Sequence, residues 1–235
     1  MSRFARARRA RLWLPLALAT LVSAGTGACH DAGARAVDSG SARRGDAQPP
    51  VDLPPVTLPP LDGVDAVVRD QIQEGFAALD RVRTDPRATP AMRAEAFGTL
   101  GRLLFAARFH TPAEAAFRHA ESLAPGERRW PYFLGHLYKG RGAQADAASA
   151  FQRAVDLDPR DVPATIWLAE MRLVAGDLAA AEPLFTRAAA TDGGRLAAHF
   201  GLGRVALGRR DYARAVEHFE AALAAAPAAL SVHAP

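Results

Sequence analysis

Along this 235-residue chain an alanine–phenylalanine–alanine triad returns four times at a constant interval of 34 residues. The copies are Ala113/Phe117/Ala120, Ala147/Phe151/Ala154, Ala181/Phe185/Ala188 and Ala215/Phe219/Ala222. Pro125, Pro159 and Pro227 close three of them, and Gly193 stands in that place in the third. Steps of four and then three residues put each triad on one face of a helix. A fixed period of this length means that one supersecondary unit is repeated, with neighbours burying together the apolar surface that no single unit buries alone.

A second set of positions lies upstream of each triad at helical spacing: Phe97, Leu100, Gly101 and Leu104; Leu134, Gly135 and Tyr138; Leu168, Ala169 and Leu173; Leu202, Gly203 and Leu207. In these two sets together the chain resembles the tetratricopeptide repeat family over residues 94–227. The resemblance implies an all-α fold, a right-handed superhelical solenoid of about four helix-turn-helix units spanning 94–127, 128–161, 162–195 and 196–229. Residues 230–235 read as an incomplete tail, with Leu230 to His233 like the start of a fifth unit cut short; truncation or an incomplete edge, and a last apolar face covered by another subunit, are the two expectations.

Antiparallel helices approach closely only where one offers a small residue to the other's bulk. Gly101, Gly135 and Gly203 fill that role, and Phe117, Phe151, Phe185 and Phe219 are expected to fill the seams between helix pairs. Replacing any of the four by alanine should cost roughly 3 to 5 kcal/mol. Overfilling, as in Ala147→Leu, should cost about 1 to 3 kcal/mol.

Helix ends are marked too. Thr111-Pro112 with Glu114 reads as a cap, a first-turn proline and a capping-box acid. Asp177 and Asp211 read as caps, and Asp161 before Val162-Pro163 opens a helix after Asp158-Pro159 closes one. Pro183 falls inside a second helix and predicts a kink or a late start. Upstream, Val64, Val68, Ile72, Phe76, Leu79 and Val82 form the stripe of a further amphipathic helix within residues 62–93. Thr84 to Thr89 turn the chain, and Thr89-Pro90 caps a lengthened first helix.

The N-terminus is a different object. Arg3, Arg6, Arg8, Arg9 and Arg11 precede an apolar run from Leu12 to Val22 and then small residues up to Cys29, the pattern of a secretory signal peptide over 1–29. Thr26-Gly27-Ala28-Cys29 resembles the lipobox of bacterial lipoproteins, with Thr26 where the family places leucine. The resemblance implies acylation of Cys29 and, with His30 next, a periplasmic face of the outer membrane; ordinary cleavage to a soluble periplasmic protein and an uncleaved anchor are the other readings. Residues 30–61 read as a disordered, proline-rich spacer whose last dozen residues reach roughly 37 Å. Cys29 is the only cysteine, so no disulfide closes within the chain.

Charge belongs largely to that export segment. It holds 5 of the 29 basic residues and none of the 25 acidic ones, so the rest carries 24 − 25 = −1. A nucleic-acid partner therefore has no support. Arginine supplies the positive charge, Lys139 being the only lysine.

For the solenoid, the resemblance implies a concave groove lined by the first helix of each unit. Its positions here are Arg102 and Phe105; Tyr132, His136 and Lys139; Ile166, Glu170 and Leu173; Phe200, Arg204 and Leu207. An apolar floor with scattered charge suits an extended peptide or a partner helix. Arg102, Glu170 and Arg204 are equally readable as solvated charges or inter-unit ion pairs, and Trp130 and Trp167 read as packing. The histidines show no ligand spacing, and no nucleophile–base pair or phosphate loop is present. The sequence thus predicts a non-catalytic protein-binding scaffold without metal or cofactor, partnered by proteins or peptides, by the membrane through Cys29, and alternatively by a second copy through its C-terminal edge.

Overall fold

The computed structural model describes residues 53–225, and these contain nine α-helices and no strand. They are α1 (Ala66–Thr84), α2 (Pro90–Ala106), α3 (His110–Leu123), α4 (Arg129–Gly140), α5 (Gln144–Leu157), α6 (Val162–Val174), α7 (Leu178–Ala189), α8 (Arg195–Gly208) and α9 (Tyr212–Ala224). Helices α2/α3, α4/α5, α6/α7 and α8/α9 pack as hairpins, each hairpin stacks on the next, and α1 lies on α2. The all-α solenoid implied by the repeat pattern is what the described residues form. The export segment, Cys29, linker residues 30–52 and Leu230 to His233 lie outside the described residues. No described helix is long and apolar enough to cross a membrane.

Each hairpin turns by the same device. The residue at position 108, 142, 176 or 210 has a left-handed backbone, with φ of 65°, 76°, 79° and 61°. The next amide then donates back across the helix end: Phe109 to Leu104 (2.8 Å), Ala143 to Tyr138 (3.0 Å), Asp177 to Arg172 (2.9 Å) and Asp211 to Ala206 (2.9 Å). That six-to-one bond is the Schellman closure, which normally takes glycine at the left-handed residue. Gly142 and Gly176 comply; Arg108 and Arg210 take the strained conformation with a side chain attached.

The small residues open space for the rings. A Cβ on Gly101 would lie 2.7 Å from the Phe117 ring, on Gly135 2.6 Å from Phe151, and on Gly203 2.6 Å from Phe219. Phe117, Phe151 and Phe185 are fully buried. Phe219 departs from the expectation and is only half-buried, because no described helix follows α9 to close its seam.

Other local expectations divide. Asp161, Asp177 and Asp211 accept from Ala164, Ala180 and Arg214 amides at 3.0, 3.0 and 3.2 Å, and Thr89 Oγ1 accepts from Met92 at 3.2 Å. Thr111 caps nothing: α3 already begins at His110 because the Schellman turn delivers the chain in helical register at Phe109. Glu114 instead accepts from the Tyr138 hydroxyl at 3.0 Å and pairs with Arg141. Val64 precedes α1, whose cap is Asp65. Pro183 sits within α7, which starts at Leu178 rather than late. Residues 53–61, expected in the free spacer, lie on the array, with Val56 and Leu61 against the main core.

Candidate functional site

The expected groove residues fall on α2, α4, α6 and α8. The structure gathers some of them into one cluster and spreads the others. Tyr132 and His136, one turn apart on α4, meet edge-on with ring centroids 4.6 Å apart. His136 continues edge-on to Trp167 of α6 at 5.0 Å. Lys139, a further turn along α4, sets its Nζ 4.4 Å from the centre of the Trp167 ring. All four side chains are half-buried, so an aromatic floor carries a cation at its rim.

Trp167 is the member that sequence reasoning assigned to packing. It does pack, stacked 6.2 Å from Phe151 at 17°. It also stands beside His136 and Lys139 on the shared face of α4 and α6. The signal that marks it is positional: Trp167 is 34 residues after Phe133, which stacks on Phe117 at 5.2 Å and 10°. In the following repeat that position is Gly201, whose backbone lies directly against Phe185. Trp130, by contrast, is buried over Gly98, with its indole Nε1 unpartnered among the described residues.

Burial, and next the charge of Lys139, holds the pKa of His136 below the ordinary imidazole value. At neutral pH the ring is therefore uncharged, and Lys139 is the cation of this cluster. No acidic residue pairs with Lys139 among the described residues.

The remaining groove charges are engaged. Arg204 of α8 donates to both carboxylate oxygens of Glu170 of α6, at 2.8 and 2.6 Å. Arg102 is held by Thr99 Oγ1 at 3.0 Å and by Glu95 at 3.5 Å. Glu95 also pairs with Arg129 at 2.9 Å, which repeats the Glu170–Arg204 spacing of 34 residues. Pairs of this kind add about 0 to 1 kcal/mol each and fix one repeat against the next.

Apolar positions complete the face. Ile166 and Leu173 lie half-buried against the second core cluster, and Phe105 against the first. Phe200 and Leu207 are exposed; Phe200 lies 5.7 Å from the Phe219 ring, with the Arg204 guanidinium 6.0 Å from its centre. Beside Tyr132, a hollow of about 420 Å³ opens between Arg128, Asp158, Arg160 and Val162. Arg128 bridges Asp158 and Asp161 across it. Among the described residues no group of three or more His, Cys, Asp or Glu side chains is placed to hold a metal ion.

Comparison with known proteins agrees with this architecture. A family model described as tetratricopeptide repeat matches residues 132–195 and 168–229. No curated protein matches the sequence. Among solved structures, BtubC (BKLC) from P. vanneervenii superposes with a TM-score of 0.63 at 15% identity, covering 72% of this chain and 77% of that one. MamA gives 0.58 at 18% identity over 69% and 95%. YrrB, described as a TPR protein with an unusual peptide-binding site, gives 0.56 at 20% identity over 68% and 82%. Over residues 132–229 the chain therefore matches tetratricopeptide repeats, and the described residues fold as a helical solenoid of that kind.

Proposed function

We propose that this protein is a non-catalytic scaffold whose concave face receives an extended peptide or a partner helix. The observation that carries the reading is the Tyr132–His136–Lys139–Trp167 cluster: half-exposed rings from successive repeats, with an ammonium at their edge that pairs with no acid among the described residues. Tyrosine and tryptophan are enriched among the residues that dominate binding surfaces, and a charge at their rim adds electrostatic complementarity. A photo-crosslinker placed at Tyr132 should capture a partner in the native envelope, and the same group at exposed Asp156 of α5 should not. Loss of capture in a Lys139→Glu/Trp167→Ala variant supports the groove; identical capture from both positions refutes it.

An envelope location belongs to the same reading and rests on residues 1–29. With Cys29→Ala, the protein should move from the membrane to the soluble fraction.

A second reading, self-association, is favoured by the last hairpin. Phe200 on α8 and Tyr212, Val216 and Leu223 on α9 are 50, 65, 55 and 52% exposed. Apolar surface gathered in this way marks interaction sites. Sedimentation should show a concentration-dependent dimer that Val216→Glu dissociates; a monomer at all concentrations removes this reading.

A further inference from the structure

Residues 53–61 read Leu-Pro-Pro-Val-Thr-Leu-Pro-Pro-Leu and form neither helix nor strand. From Leu53 to Pro60 their burial has a period of three: Leu53, Val56 and Pro59 are half-buried, and the residues between them are exposed. Three residues per turn is the pitch of the polyproline II helix. The sequence enforces it, since each proline fixes its own φ and keeps the preceding residue out of helical geometry. The segment ends at Leu61, whose carbonyl accepts from Val64 across a turn with Gly63 at φ 76°.

The surface beneath offers what such a helix needs. His119 Nε2 lies 3.0 Å from the Pro54 carbonyl oxygen, which only accepts, so the ring donates Nε2–H. The imidazole is stacked on Phe97, with centroids 4.7 Å apart and 11° between planes. Aromatic faces beside a donor aimed at a backbone carbonyl are the recurrent means of holding proline-rich segments.

The repeat frame explains why this face is available. One period after His119 stands Arg153, which pairs with Glu121 on the second helix of the preceding unit at 2.9 Å. Unit one has no such neighbour: the residue one period before Glu121 is Arg87, beyond the end of α1 at Thr84.

We propose that the Phe97–His119 face of the first repeat is a recognition site for a proline-rich segment in the polyproline II conformation, filled in cis by residues 53–61. It is separate from the α4–α6 groove.

The test uses the full chain and a labelled peptide with the sequence of residues 53–61. In a Val56→Asp/Leu61→Asp variant the tethered segment should release the site. The peptide should then bind at least tenfold more tightly than to the wild type, where the tether competes at an effective concentration of about millimolar. Adding His119→Ala should cut that binding severalfold, and a peptide with its four prolines replaced by alanine should not bind. A variant with unchanged helix content that ignores the peptide, or binding indifferent to His119→Ala, overturns the proposal. Should the double variant not fold, a photo-crosslinker at Thr57 in the otherwise native chain decides. Linkage to residues 90–123 within one chain at high dilution supports the cis site; linkage only between chains, or none, overturns it.

Discussion

Lys139 and Trp167 lie in adjacent repeats, and the ammonium of the first sits 4.4 Å from the ring centre of the second. The chain's only lysine is thus held by the repeat that follows its own. Removing Lys139 should lower stability by less than about 1 kcal/mol, because a partly exposed cation–ring contact is worth about that much. Removing Trp167 should cost about 2 kcal/mol, the burial of a half-covered aromatic. Urea unfolding of both single variants and the double variant tests this, since the two losses should add to more than the double variant shows.

The seam phenylalanines should not be equivalent. Phe117→Ala, Phe151→Ala and Phe185→Ala each remove a fully buried ring and should cost roughly 3 to 5 kcal/mol. Phe219→Ala removes a half-buried one and should cost about half as much. Chemical denaturation midpoints of the four variants give the comparison directly.

Glycines with different surroundings should respond in opposite senses. Gly135→Ala forces a methyl toward the Phe151 ring and should cost about 1 to 3 kcal/mol. Gly140→Ala, at a helical position with nothing within 4 Å, should gain up to about 1 kcal/mol. Thermal unfolding separates the two.

At the hairpin turns, Arg108→Gly and Arg210→Gly should each relieve a left-handed strain of roughly 1 to 2 kcal/mol. Glycine's greater freedom in the unfolded chain returns roughly 0.5 to 1 kcal/mol of that. A small rise in melting temperature is expected from each, and Gly142→Ala should lower it.

Acid should act through His136. Its folded pKa is depressed, so above about pH 6.5 the ring is neutral in both states and its burial costs nothing extra. As pH falls below that value the unfolded chain takes up a proton that the folded chain refuses. Stability is lost until the folded pKa is reached, and the loss then levels off. Between pH 7 and pH 5 the wild type should therefore lose more stability than His136→Gln, read from urea midpoints at each pH.

What could be seen beforehand follows from where the information lies. Ala113, Phe117, Gly101 and their periodic counterparts show the helix pairs because local spacing and shape select the same fold. Position 167 was readable only as a large aromatic; that it faces His136 and Lys139 depends on how far one hairpin rotates against the next. Arg108 and Arg210 carry no conformational signal, because arginine does not favour a left-handed backbone. The docking of Val56 and Leu61 is a contact between distant segments, which no local pattern encodes. Glu170 and Arg204 were legible as candidates for either role, and their separation of one period is what pairs them.

Trp130 is sealed over Gly98, whereas Trp167 stands half-open beneath a positive charge. Neighbouring modules thereby hold indoles in contrasting dielectric surroundings, so their emission colours differ. With Trp13 replaced by phenylalanine, fluorescence at two wavelengths can then reveal whether the middle of the array melts in one step or module by module, without any attached dye.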